Sequence, residues 1–175
     1  PEATRLLVRS MEEYNCDMVI SDFYRVSGER LAQKGDIEED KVMSRQEFAS
    51  YMIENPADFY YGVLWNKMYR RSIIEEYHIR MDTSISWCED FLFNLEYIRH
   101  AESFFALQVP IYYYLKRRGS LVSQGASITN TVRMKSNIFE YYNEFYKDVY
   151  EDKDYADIRL QVYSFLWAAA KDGGV

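Results

Sequence analysis

Glu89 and Asp90 stand side by side immediately before an apolar run, in the stretch Trp87 to Asn94, WCEDFLFN. Two roles fit adjacent carboxylates in such a place. One carboxylate can act as a general base, held at the lip of a cleft by a rigid element, and take the proton of a hydroxyl that is otherwise a weak nucleophile at neutral pH. The plainer role is that of acidic residues in a first helical turn, stabilised by free N–H groups and the positive end of the dipole. Asp90 is the candidate base. Glu89 orients it or an acceptor hydroxyl, or simply belongs to the first turn. Lys67 lies in a run from Gly62 to Met68 that is otherwise apolar except for Asn66. It can reach Asp90, Glu89 or a diphosphate, or snorkel from a strand end. Trp65 in the same run is core or a sugar platform. Arg117 and Arg118, with Ser120 beside them, lie in a polar loop that could fold over phosphates or be solvated. His78 and His100 have no partner at metal-ligand spacing, and no metal site is expected from these residues.

The elements that must hold these groups follow from periodicity. Ala3, Leu6, Leu7, Met11 and Tyr14 mark a helix over residues 2–14. Met18-Val19-Ile20 reads as a buried strand continuing to about Tyr24, and the polar stretch 25–43, with Gly28 and Gly35, as a hairpin or excursion loop. Ser44-Arg45-Gln46-Glu47 is a capping box that opens a helix ended by Asn55-Pro56. Ser72-Ile73-Ile74-Glu75 reads as a second capping box, for a short helix to Tyr77, and His78 to Met81 as a brief extended piece. Phe91, Leu92, Leu95 and Ile98 recur at helical spacing, so the acidic pair should open a helix from about Glu89 to Ala101. Ser103 to Val109 reads as a strand, interrupted by Pro110 and resumed from Ile111 to Lys116, with Tyr112 and Tyr114 on one face and Tyr113 on the other. Met134, Ile138, Tyr141, Tyr142, Phe145 and Val149 lay out a long amphipathic helix, and Asp154 is expected to cap a last helix carrying Ile158, Val162, Phe165, Leu166 and Trp167. This pattern gives a mixed α/β body over residues 1–125 and a helical extension over 126–175.

Composition sets the bounds. With 48% hydrophobic and 28% charged residues among 175, the chain is long enough and apolar enough for one sizeable core. A net charge of −7 argues against a nucleic-acid partner recognised through a basic surface. Cys16 and Cys88 lack metal or redox spacing and fit a reducing compartment. No apolar run approaches the roughly 18 residues of a membrane span. The first residue, Pro1, and the last three, Gly173-Gly174-Val175, read as cuts in a longer protein. The 17 tyrosines suit half-buried surfaces and sugar clefts alike, so they favour a polar-ligand site only weakly.

The order of the pieces DMVISDFYRV, LWNKMYRRSII, HIRMDTSISWCEDFLFNLEYIRHA and VPIYYYLKRRGSLVSQ, over roughly residues 2–125, resembles the C-terminal, acceptor-side half of a bacterial family-2 glycosyltransferase. The resemblance implies a GT-A-like nucleotide-diphospho-sugar transferase fold followed by helices. It also implies an inverting transfer from a nucleotide-diphosphate sugar to a glycan or polysaccharide acceptor, as in cell-wall or capsule assembly, with Asp90 as base. The loop of Arg117 and Arg118 would then meet the nucleotide diphosphate. The family's nucleotide-binding half and its D-x-D metal motif have no counterpart here. Asp152-Lys153-Asp154 matches D-x-D by letters but is expected in a surface turn. A divalent metal, Mg or Mn, is therefore expected in the full-length protein and not in this segment, which should be inactive alone. Cys88 departs from the small residue, such as Gly, common before the acidic pair. The implied setting is cytoplasmic or at the inner face of the membrane, with self-association through an exposed sheet edge near Met18–Ile20. The alternative is a non-catalytic module that binds a glycan or a protein through its Tyr-rich surface.

Overall fold

The computed structural model describes residues 2–56, 58–83, 88–115 and 128–168, with the backbone alone for 128–134. The first helix, α1 (Glu2–Glu13), leads into β1 (Met18–Ser21) and β2 (Phe23–Ser27). Then come β3 (Arg30–Lys34), β4 (Met43–Ser44), α2 (Arg45–Glu54), α3 (Phe59–Gly62), β5 (Lys67–Tyr69) and α4 (Arg71–Glu76). The remainder is α5 (Glu89–His100), β6 (Ser103–Leu107), β7 (Tyr113–Leu115), α6 (Ile128–Val149) and α7 (Asp152–Ser164).

Two mixed sheets result. The larger runs β4-β6-β1-β5, and the smaller β3-β2-β7. β1 pairs parallel with β6 and antiparallel with β5, while β2 pairs parallel with β7 and antiparallel with β3. The expected strand 18–24 is thus two strands broken at Asp22. The Asp22 N–H donates to Leu107 O, and Asp22 O accepts from the Ile111 N–H, so the chain changes sheets there. The pair β6 and β7 changes sheets beside it, across Pro110. Gly28, at φ 61°, turns the β2–β3 hairpin, a conformation in which a Cβ is strained. The aromatic alternation leading into β7 is as expected, with Tyr112 and Tyr114 stacked on Trp65 and Tyr113 set against Tyr24.

The period of two along β1 and β6 divides the core. Met18, Ile20, Phe104 and Ala106 face the large cluster, whereas Val19 and Phe105 pack with Leu7 of α1 and with Cys16. The large cluster takes Phe48 and Met52 from α2, Phe91, Leu95 and Ile98 from α5, Tyr142, Phe145 and Tyr146 from α6, and Val162 and Phe165 from α7. The Tyr146 hydroxyl donates to Ala49 O at 2.9 Å and so ties α6 to α2. The expected boundary at 125/126 lies outside the described residues. Among the described residues no helix is long and apolar enough to cross a membrane.

The first capping box is complete: Ser44 Oγ accepts from the Glu47 N–H and Glu47 accepts from the Ser44 N–H. The second is absent. α4 begins two residues earlier, with Arg70 rather than Ser72 at its N-cap and no side-chain cap, because the Arg70 backbone N–H and guanidinium are held by Tyr97, Asp17 and Cys16. His78 to Met81 is not a strand; His78 has φ 51° and follows the end of α4. The C-terminal β-elements are shorter than expected, ending at Leu107 and starting at Tyr113. Asp154 does not cap α7, whose N-cap is Glu151. Asp152 and Asp154 both fall in the helix's first turn, where the dipole favours them. Finally, β1 is an inner strand, paired on both sides, so among the described residues the edges of the larger sheet are at β4 and β5 and not at Met18–Ile20.

Candidate active site

The acidic pair opens α5, as its position before the apolar run requires. Cys88 occupies the N-cap with φ 64° and provides no side-chain cap, and burial pushes its thiol up to about 11. Asp90 is half-buried in the first turn of α5. Burial raises its pKa above the usual aspartate range, and the like charge of Glu89 adds to that. The nearby backbone N–H of Leu64 and the positive charge of Lys67 pull the other way. Asp90 thus lies near the loop after α3.

That loop is gripped from beneath. Lys67 is only 7% exposed, and its Nζ donates to Tyr60 O at 2.7 Å, Val63 O at 2.6 Å and Asn66 Oδ1 at 2.8 Å. Burial pushes the Lys67 pKa down, and the charges of Asp90 and Asp58 oppose the push. Three acceptors at these distances use three protons, which only the ammonium form carries. Lys67 reaches Asp90 through its field, while its protons go to the loop. Asn66 is fully buried and donates from Nδ2 to Ser21 O and Tyr60 O. Asn94 donates from Nδ2 to Tyr61 O at 3.0 Å, Gly62 O at 3.0 Å and Val63 O at 3.3 Å, and accepts the Tyr69 hydroxyl on Oδ1 at 2.6 Å. The Tyr97 hydroxyl donates to Asp17 O at 2.7 Å and accepts from the Arg70 N–H at 2.8 Å.

Trp65 follows Leu64 directly and is half-buried. Its ring lies nearly parallel to Tyr112 and Tyr114, with centroids at 4.4 and 5.7 Å, and meets Phe23 edge-on at 4.9 Å. The Arg25 guanidinium sits 4.7 Å from the centroid of Tyr114. Trp65 is thus part of an aromatic stack whose outer member, Tyr112, is 41% exposed. The structure brings Trp65, Lys67, Glu89 and Asp90 into one region. Arg117, Arg118 and Ser120 lie outside the described residues, as does Trp87. Asn94 and Tyr97 were not singled out from sequence, yet the signal was there. Asp90, Asn94 and Tyr97 stand at i, i+4 and i+7, a polar line on the face of α5 that also carries Phe91, Leu95 and Ile98.

Among the described residues no group of three or more His, Cys, Asp or Glu side chains is placed to hold a metal ion. The donor set for a divalent cation is not supplied by them.

No protein-family model matches the chain. Over 116 residues it is 27% identical to the uncharacterized glycosyltransferase EpsJ of Bacillus subtilis (strain 168), a match that covers 66% of this chain and 34% of that protein. The crystal structure of S. aureus TarS 1–349 in complex with UDP-GlcNAc matches with a TM-score of 0.62 at 18% identity, over 94% of this chain and 44% of that one. TarS 1–349 in a further crystal structure matches with a TM-score of 0.60 at 14% identity, over 97% of this chain and 44% of that one. The chain has a GT-A-like glycosyltransferase fold. It spans about a third of EpsJ and under half of TarS 1–349.

Proposed function

We propose that the chain is the acceptor-side segment of an inverting glycosyltransferase, moving a sugar from a nucleotide-diphosphate donor to a glycan or polysaccharide acceptor. Asp90 takes the proton of the acceptor hydroxyl as that oxygen bonds to the anomeric carbon. The bond from that carbon to the diphosphate breaks, and the nucleotide diphosphate leaves with the electron pair. The observation that carries this reading is the setting of Asp90: half-buried in the first turn of α5, near the buried Lys67, and raised in pKa. A base works best with a pKa near the working pH, and the upward shift moves an aspartate that way. Glu89 tunes Asp90 by its charge. Lys67 and Trp65 fix the loop and the aromatic stack beside the base, and Arg117, Arg118 and Ser120 are assigned to the leaving diphosphate. The complex of TarS with UDP-GlcNAc supports a nucleotide-sugar donor. A divalent ion, Mg or Mn, would be held by another part of the full-length protein. We assign the protein to the cytoplasm or the inner face of the membrane.

The test is the configuration of the product. Proton NMR of product formed by the full-length protein from a panel of nucleotide sugars should show an inverted anomeric centre, as a direct displacement with one base requires. Retention would sink the single-base reading. A second reading, a glycan- or protein-binding module, is favoured by the exposure of Tyr112 and of Tyr113, 56% exposed. Acceptor binding with no transfer from any donor would support it over the enzyme.

A further inference from the structure

A cleft of about 570 Å³, which includes none of the residues placed around Asp90, opens between α1, the end of β6 and the segment that follows β3. Its size falls in the range of ligand-binding clefts. The apolar part of its lining is Leu6, Tyr14, Phe105 and Leu107, and the rings of Tyr14 and Phe105 stack at 3.8 Å between centroids. Three carboxylates, those of Glu13, Glu38 and Asp40, and one guanidinium, that of Arg9, edge it. Arg9 Nε stands 3.6 Å from Glu13 Oε2, so these two charges offset each other. Lys41, next to Asp40, is taken by Glu47 at 2.9 Å. Glu38 and Asp40 are left exposed, with no cationic or hydrogen-bond partner among the described residues.

Ser10 points to a ligand independently of the charges. It lines the cleft, is only 8% exposed, and its hydroxyl has no hydrogen-bond partner among the described residues. A polar group so far withdrawn from water is costly unless something in the cleft meets it. A metal ion does not fit, because no group of three or more metal-ligating side chains is placed to hold one among the described residues. Unpaired carboxylates beside an apolar, aromatic floor suit an organic cation instead, whose head pairs with the acids while its stem covers the floor. Arginine matches best: its planar fork meets a carboxylate through two N–H bonds and stacks on an aromatic ring. The cleft is open to solvent, so a free small cation would keep much of its surface in water. An arginine carried on a chain adds the contacts of its neighbours. We propose that this cleft docks a basic, arginine-bearing segment of a partner protein. Glu38 and Asp40 take the guanidinium, Ser10 meets a polar group of the segment, and Tyr14, Phe105 and Leu107 take the apolar stem.

The docking cleft is independent of the reading of Asp90 as base, and its test needs no turnover. The experiment is calorimetry on the full-length protein with a capped peptide, Gly-Arg-Leu-Arg-Gly, as the probe. Binding with a Kd of about 1 mM or tighter is expected. Glu38→Gln combined with Asp40→Asn should weaken it about fivefold or more, since both unpaired acids are gone. Arg9→Gln should tighten it about twofold to fivefold, because the one cation at the edge of the cleft is removed. All three positions are exposed, so the fold is not at stake. Glu29→Gln with Glu54→Gln makes the same change of net charge at exposed sites outside the cleft and should leave binding as it was. A peptide with glutamate in place of both arginines should not bind. No measurable binding of the arginine peptide would overturn the proposal. So would equal losses in the two double variants, which would mark a general attraction to an acidic protein, or weaker binding in Arg9→Gln. Butylguanidinium binding as tightly as the peptide would overturn it too, by making the cleft a small-cation site rather than a docking site for a chain.

Discussion

Replacing Lys67 with Met tests whether the cage beneath the loop stabilises the fold or merely tolerates a charge. The change keeps a long, unbranched stem and removes the ammonium. Tyr60 O would keep its bond from Asn66 Nδ2 at 3.0 Å, and Val63 O its longer one from Asn94 Nδ2 at 3.3 Å. Asn66 Oδ1 would lose its Lys67 bond at 2.8 Å in a fully buried position. One orphaned buried acceptor costs about 1–3 kcal/mol, and the two weakened carbonyls add to that. Relief from burying a charge offsets part of the loss. The expected net change is a destabilisation of about 1–3 kcal/mol, read as a lower urea midpoint at unchanged m-value. Lys67→Arg should not restore the midpoint, since a planar fork does not match three acceptors grouped around one nitrogen. Asp90 should titrate at higher pH in Lys67→Met, because an opposite charge that favours its ionised form is gone. A Lys67→Met chain as stable as the native one, or more so, would refute the claim that the cage holds the loop.

Two further perturbations test the crossing between sheets and its pH response. Gly35→Ala places a Cβ 2.1 Å from Asp22 Oδ1, which Gln33 Nε2 holds at 2.8 Å through the other oxygen, so a loss of about 1–3 kcal/mol is expected by denaturant titration; a neutral effect would show that Asp22 moves freely. Burial raises the Asp22 pKa, with the Gln33 bond opposing and the charge of Glu38 adding. A carboxyl whose folded pKa is raised contributes stability that is fully present below its unfolded pKa and is lost as pH rises through the folded one. Asp22→Asn should therefore gain on the native chain as pH rises through the carboxylate range, measured by melting temperature against pH, and a gap that widens toward acid instead would reverse the assignment.

The sequence carried the local signals well. The capping box at Ser44, the helix behind Glu89 and the split facing of Tyr112, Tyr113 and Tyr114 all rest on spacing within a few residues, and spacing is what a helix turn or a pleat reads. What it did not carry depends on partners far along the chain. Ser72 has the letters of a cap, but Tyr97 and Asp17, from two other elements, fix Arg70 and start the helix there. Lys67 pointed toward acidic or phosphate partners, yet backbone carbonyls take its protons, and carbonyls are invisible to residue type. The strand through Asp22 reads as continuous because each half alternates correctly; only the bonds to Leu107 and Ile111 reveal the change of sheet. Asn94 and Tyr97 were legible as a polar line at helical spacing, but their acceptors were not.

The most direct test of the central claim is turnover in the full-length protein carrying Asp90→Asn. Asparagine is nearly isosteric and sits in a first helical turn that tolerates it, so stability should change by less than about 1 kcal/mol. It cannot take a proton, so sugar transfer should fall by about 100-fold or more while nucleotide-sugar binding, measured by calorimetry, persists. Near-native turnover in a folded Asp90→Asn protein would contradict the assignment of Asp90 as the base.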